Sequence, residues 1–136
     1  MSRRLYFLDT DVCIDLLRVS VDRIPPSMRK LRQENLIVSS IVMAELETGV
    51  NKSARPGFHR DRLSFLMSHV TVSAFDDNAA RHYGEIRADL EKKGDSIGPL
   101  DLLIAAHARS LSAILVTRNL REFNRVPKLK CQAWVE

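Results

Sequence analysis

Residues 5–15 read LYFLDTDVCID: four apolar side chains run into Asp9, one polar residue follows, and Asp11 comes next. A short apolar run closed by polar residues predicts a buried strand over 5–8. DVCIDLLR, at 11–18, predicts a helix with Asp11 as its N-cap, because a short carboxylate can accept the free amides of a first helical turn. A buried strand that ends in two carboxylates poses a chemical question. Either one acid attacks phosphorus while the other moves a proton, or the first acid binds a metal while the second caps the helix. The rest of the chain decides between these.

The pattern of a short apolar run followed by a helix repeats. Pro25 and Pro26 open a predicted helix over about 26–34, and LIVS at 36–39 is the next strand. Ser39 or Ser40 caps a helix through VMAELETGVN, and Pro56 precedes a basic helical stretch to about His69. VTVSAF, at 70–75, alternates as a strand does, and Asp76 or Asp77 then caps a helix from about 78 to 93 that Gly94 stops. Pro99 starts a helix through Ser110, and AILVT at 113–117 and CQAWV at 131–135 are the last strands. Strands alternating with helices predict an α/β fold, a mostly parallel sheet between two helical layers. There are no repeats, and the 136 residues suit a single domain, 1–136.

Lys plus Arg number 21 against 17 Asp plus Glu, giving a formal charge of +4. The sequence pI of about 9.4 favours polyanionic partners such as nucleic acid. Aromatic residues are 6% of the chain, too few to advertise base-stacking platforms. Cys13 and Cys131 both sit in apolar runs and read as reduced core residues of a cytoplasmic protein. No apolar run approaches the roughly 18 residues of a membrane span, so no membrane association is expected.

In parallel sheets, functional groups collect beyond the carboxyl ends of the strands. Asp9 and Asp11 follow the first strand, Glu45 lies about two turns into the helix after the second, and Thr117, Arg118 and Asn119 follow AILV. Asp101 stands in the first turn of the helix before that strand. If Asp9, Glu45 and Asp101 converge, three acids repel one another and a hard cation such as Mg²⁺ or Mn²⁺ relieves the strain. Taken singly, each acid has a plainer reading: a turn residue, a solvated helix face, a favourable charge at a helix start. Thr117 can orient a carboxylate, and Asn119 can offer an amide oxygen or cap a turn. Asp15 faces solvent or an arginine, and Asp95 belongs to the turn KKGDSIG. His59, His69, His82 and His107 share no helical spacing, and His107 is expected to pack. Zinc patterns, P-loops and serine-hydrolase motifs are absent.

Two families share features with this chain. The opening, with AILVT and GDSIGPLD, resembles haloacid-dehalogenase-type phosphatases, but the order is wrong: in that family the acidic motif follows the threonine motif, whereas Asp95 and Asp101 precede Thr117. FLDTDVCIDLLR, VSSIVMAELETGV, IGPLDLLIAAHA and LVTRNLREFNRVPKLKCQAW, in that order, resemble PIN-domain ribonucleases, specifically the VapC toxins of VapBC toxin–antitoxin pairs. The resemblance implies a PIN-like α/β/α domain and a Mg²⁺- or Mn²⁺-dependent endoribonuclease. Asp9, Glu45 and Asp101 match the metal-binding acids, and Thr117 the threonine that supports the first of them. Asn119 falls where many members carry a fourth acid, and Glu122 is a distant substitute for it. The resemblance further implies phosphate contacts by Arg118 and Arg121, a structured RNA substrate, a homodimer, and a cognate antitoxin docking on DVCIDLLR or SMRKLRQENL. Because Asn119 is neutral, a PIN-like module that binds RNA or protein without cutting stands as the alternative.

Overall fold

In the computed structural model, residues 4–19 and 31–134 are described. β1 (Tyr6–Leu8) leads into α1 (Thr10–Val19), and a 3-10 turn, Gln33–Asn35, precedes β2 (Leu36–Ser39). Then follow α2 (Ser40–Lys52), α3 (Pro56–Met67), β3 (Thr71–Ser73), α4 (Asp77–Lys92), α5 (Pro99–Ser110), β4 (Ile114–Thr117), α6 (Leu120–Phe123) and β5 (Lys130–Ala133). The helix predicted over 26–34 lies largely outside the described residues.

The strands form one sheet in the order β3-β2-β1-β4-β5, and every pairing is parallel. Every residue of β1 and β2 is buried, as are Leu115, Val116 and Thr117 of β4. That is why these strands read as continuous apolar runs rather than alternating ones. The edge strand β3 is short, and Val72 stays 45% exposed. α1, α2 and α3 pack against one another, as do α4 and α5; with β2 and β3 on one side of β1 and β4 on the other, right-handed crossovers put the two groups on opposite faces. The expected three-layer α/β/α architecture is therefore present, with a sheet that is wholly parallel.

Local chemistry sets the boundaries. Ser39 caps α2 by accepting the Ile41 amide at 3.0 Å, and Asp76 caps α4 by accepting the Ala79 amide at 3.0 Å. Gly94, at φ 66°, ends α4: its amide reaches the Glu91 carbonyl, and the Asp95 amide reaches the Leu90 carbonyl five residues back. One boundary corrects the sequence reading. Asp11 is not the cap of α1, because that helix already begins at Thr10. Asp9 holds the cap position: its carbonyl accepts the Cys13 amide at 3.1 Å and its Oδ1 accepts the Thr10 amide at 2.8 Å. Asp11 is exposed in the first turn, where its charge faces the positive end of the helix.

The chain winds outward from β1 to β2 and β3, then returns to β4 and β5 on the other side. The direction reverses between β1 and β4, so a crevice opens at their carboxyl ends.

Candidate active site

Asp9 stands at the end of β1 and Thr117 at the end of β4, on the two sides of that crevice. The Thr117 hydroxyl donates to Asp9 Oδ2 at 2.8 Å and accepts the Asn119 amide at 2.9 Å. The Asp9 amide bonds the Val116 carbonyl at 3.1 Å, so the sheet ladder itself fixes the position of Asp9. Both carboxylate oxygens thus carry one oriented donor, and each keeps a lone pair for a ligand. Burial pushes the Asp9 carboxyl above its ordinary value, against the opposing pull of Thr117 and the Thr10 amide.

Asp101, in the first turn of α5, faces the same crevice. Burial, the adjoining Glu122 carboxylate and its hydrogen bond, and the charges of Asp9 and Asp11 push the Asp101 carboxyl up to about 7. Glu122 is held down instead. Its Oε1 accepts the Gly98 amide at 3.0 Å, and its Oε2 accepts the Asn119 side-chain amide at 2.5 Å. In the hydrogen bond between the two acids, protonated Asp101 is therefore the donor. Glu122 was only a distant substitute in sequence terms. Its spacing of three from Asn119 was the available signal, since that places both on one side of a helical turn.

Glu45 takes a different place. It lines a groove of about 460 Å³ between α1, α2 and α3, together with Ile14, Leu17, Leu46, Phe58 and Arg62. It sits in the first half of α2, the helix that leaves the carboxyl end of β2. The acids that act on Asp101 are Glu122, Asp9 and Asp11. Among the described residues, no three His, Cys, Asp or Glu side chains stand close enough to hold a metal ion between them.

Arg118 is committed to Asp15 by an ion pair, and Asp15 Oδ2 also accepts the Trp134 indole N–H at 3.0 Å. Arg121 is exposed on α6. His107 packs edge-on against Phe7 and Phe75 and hydrogen-bonds Ser39 at 2.8 Å and Ser73 at 3.2 Å, in the core as expected. Cys13 is buried and Cys131 half-buried, both unpaired, and burial pushes the Cys131 thiol up to about 11.

The donor chemistry suits a hard divalent cation. Every polar atom offered by Asp9, Asp101, Glu122 and Asn119 toward a cation is an oxygen. The Asp101 carboxyl is pushed to about 7 first by burial and then by the neighbouring acids Glu122, Asp9 and Asp11, and a hard cation would offset both. Two carboxylates suffice for Mg²⁺, which keeps several waters and completes its shell with substrate phosphate.

Residues 6–129 match the PIN domain family. Ribonuclease VapC2 of Rickettsia felis is 39% identical over 131 residues, covering 96% of this chain and 98% of that protein. The tRNA(fMet)-specific endonuclease VapC of Shigella flexneri is 38% identical over 132 residues, covering 95% and 97%. Among solved structures, DNA-bound VapBC from Salmonella typhimurium aligns with a TM-score of 0.89 at 36% identity, over 97% of this chain and 99% of that one. VapBC2 from Rickettsia felis, bound to a promoter DNA fragment, gives 0.89 at 36% identity over 96% and 99%. The chain belongs to the PIN-domain family, in its VapC branch.

Proposed function

We propose that this protein is a metal-dependent endoribonuclease, the toxin of a toxin–antitoxin pair, which cuts a structured RNA in the cytoplasm and so arrests translation and growth. The observation that carries this reading is Asp9 locked by Thr117 across the reversal point, with Asp101 and Glu122 gathered beside it. The names of the relatives agree: ribonucleases, two of them specific for tRNA(fMet). A transfer RNA is accordingly the first substrate to test.

Asp9 and Asp101 would hold Mg²⁺ or Mn²⁺, with Asn119 and Glu122 next to them, while Glu45 stands apart in the groove beside α2. The ion supplies a bound water of lowered pKa and charge opposite the phosphoryl oxygens. The chain's own part is orientation. Thr117 and the Thr10 amide fix the carboxylate of Asp9, and the Gly98 amide and Asn119 fix that of Glu122. A cation bound there would favour the carboxylate form of Asp101.

The partner is a VapB-like antitoxin, and the active form is a homodimer. The groove between α1, α2 and α3 suits the antitoxin, since it is apolar, carries exposed Phe58, and ends at Glu45, where a basic side chain of the partner would be neutralised. The second reading, a module that binds without cutting, is favoured by one observation: neutral Asn119 spends its amide on Glu122.

Expression in a bacterial host separates the two. Wild type is expected to arrest growth, Asp9→Asn and Asp101→Asn are not, and co-expression of the protein encoded next to this gene restores growth. Arrest by folded Asp9→Asn protein would rule out the proposed site. RNA binding without metal-dependent products would favour the binding module.

A further inference from the structure

Beside the acid pair lies a second recess, of about 410 Å³, lined by Ser96, Gly98, Asn119, Arg121, Glu122 and Arg125. Its volume falls within the range of small-molecule sites, and its walls carry two guanidinium groups. Arg121 and Arg125 are four residues apart. The chain stays helical past the end of α6, with Asn124 at φ −65° and ψ −14°, so both project to one side. Arg125 is held in place by Asp95 Oδ1 and the Ser96 carbonyl, both at 3.4 Å, and keeps further N–H donors free. Arg121 makes no hydrogen bond or ion pair among the described residues.

The one acid on the wall is already engaged. Glu122 has its Oε1 on the Gly98 amide and its Oε2 on Asn119, so two donors share its charge, and Arg125 offsets it further. The recess and the acid pair also share a wall. A methyl group on Gly98 would stand 3.7 Å from Asp101 Oδ2 and 3.9 Å from Glu122 Oε1. A strand whose scissile phosphodiester sits at Asp9 and Asp101 therefore leads its neighbouring phosphodiester into the recess.

We infer that the Arg121–Arg125 recess is a phosphate subsite, which holds the phosphodiester next to the scissile one; this rests on the ribonuclease reading. Guanidinium groups meet phosphate oxygens in a two-pronged geometry, and that suits the role better than an ammonium would. The subsite fixes register rather than chemistry. Its loss raises KM and leaves kcat at saturating RNA unchanged.

The test is the salt dependence of binding to a pool of folded transfer RNA, in EDTA, with Asp101→Asn as the uncut parent. Each phosphate contact contributes about 0.7 to 0.9 to the slope of log K against log salt. Adding Arg121→Gln or Arg125→Gln is expected to reduce the slope by about that amount. Arg121→Lys restores the slope but not the full affinity, and Arg81→Gln on α4 changes neither. Equal slopes for the parent, Arg121→Gln and Arg125→Gln would overturn the subsite alone. A parent that binds no RNA at low salt would overturn the ribonuclease reading and the subsite together.

Discussion

Replacing Thr117 by Val removes one buried hydroxyl and keeps the side chain's shape. Two bonds disappear, the one donated to Asp9 at 2.8 Å and the one accepted from the Asn119 amide at 2.9 Å. A hydrogen bond to a charged group contributes about 1.5 to 3 kcal/mol, and a neutral one about 1. The expected loss is about 2 to 4 kcal/mol, a large share of an ordinary domain's stability. With 136 residues and an unfolding entropy of about 2 cal/mol/K per residue, the melting midpoint falls by about 7 to 14 °C. The loss also depends on pH. Burial raises the Asp9 carboxyl in the fold, so ionised Asp9 opposes folding as pH rises through its folded value. Thr117 offsets part of that cost, so the variant loses more at pH 7.5 than at pH 4. Mn²⁺ affinity is expected to drop about 10- to 100-fold, because an unsupported carboxylate no longer points at the ion. Differential scanning calorimetry at the two pH values and Mn²⁺ titration calorimetry measure these effects, with Thr117→Ser as the variant that keeps the hydroxyl. If Val and Ser variants melt together and bind Mn²⁺ alike, Thr117 does not position Asp9.

Other perturbations read other parts of the molecule. Asp15→Ala leaves the indole N–H of Trp134 and the guanidinium of Arg118 without their shared acceptor; a loss of about 1 to 3 kcal/mol and a shifted emission from the single tryptophan are expected, and unchanged fluorescence would refute that network. Burial holds His107 below its ordinary value, so the unfolded chain takes up the proton first, and the stability that neutral His107 provides is complete above about pH 6.5 and is lost as pH falls below it. His107→Gln is expected to flatten that part of the stability–pH curve, and an unchanged curve would contradict the assignment. Phe58→Ala, in the groove and outside the Asp9–Asp101 site, is expected to keep RNA cleavage intact and weaken antitoxin binding by about 2 kcal/mol, roughly 30-fold, in a titration with the purified partner; equal affinity would place the antitoxin elsewhere.

Much of this architecture follows from local pattern. LIVS at 36–39 and PLDLLIAAHARS at 99–110 fold as their patterns predict, because each carries its own start or stop signal: a serine cap after one, a proline at the head of the other. VTVSAF gives a ladder only at 71–73, since an edge strand has a single neighbour to specify its length. Asp11 was misplaced because a cap is defined by the residue left outside the helix, and the tight β1–α1 junction leaves only Asp9 there. At the site, Asp9 and Thr117 were readable because both terminate strands, and neighbouring strands bring their ends together. Glu122 was legible only in part: its spacing of three from Asn119 pairs those two, but its tie to the Gly98 amide 24 residues away is a contact no local spacing reports. The position of Glu45 depends likewise on how α2 lies against α1 and α3.

The most direct measurement is cleavage of total folded cellular RNA by the purified, partner-free protein, compared with Asp101→Asn, each in Mn²⁺, Mg²⁺ or EDTA. The account predicts a few discrete products, mapped by their ends to a structured RNA, from the wild type with metal and from nothing else. Products of equal yield from folded Asp101→Asn protein, or from wild type in EDTA, would contradict it.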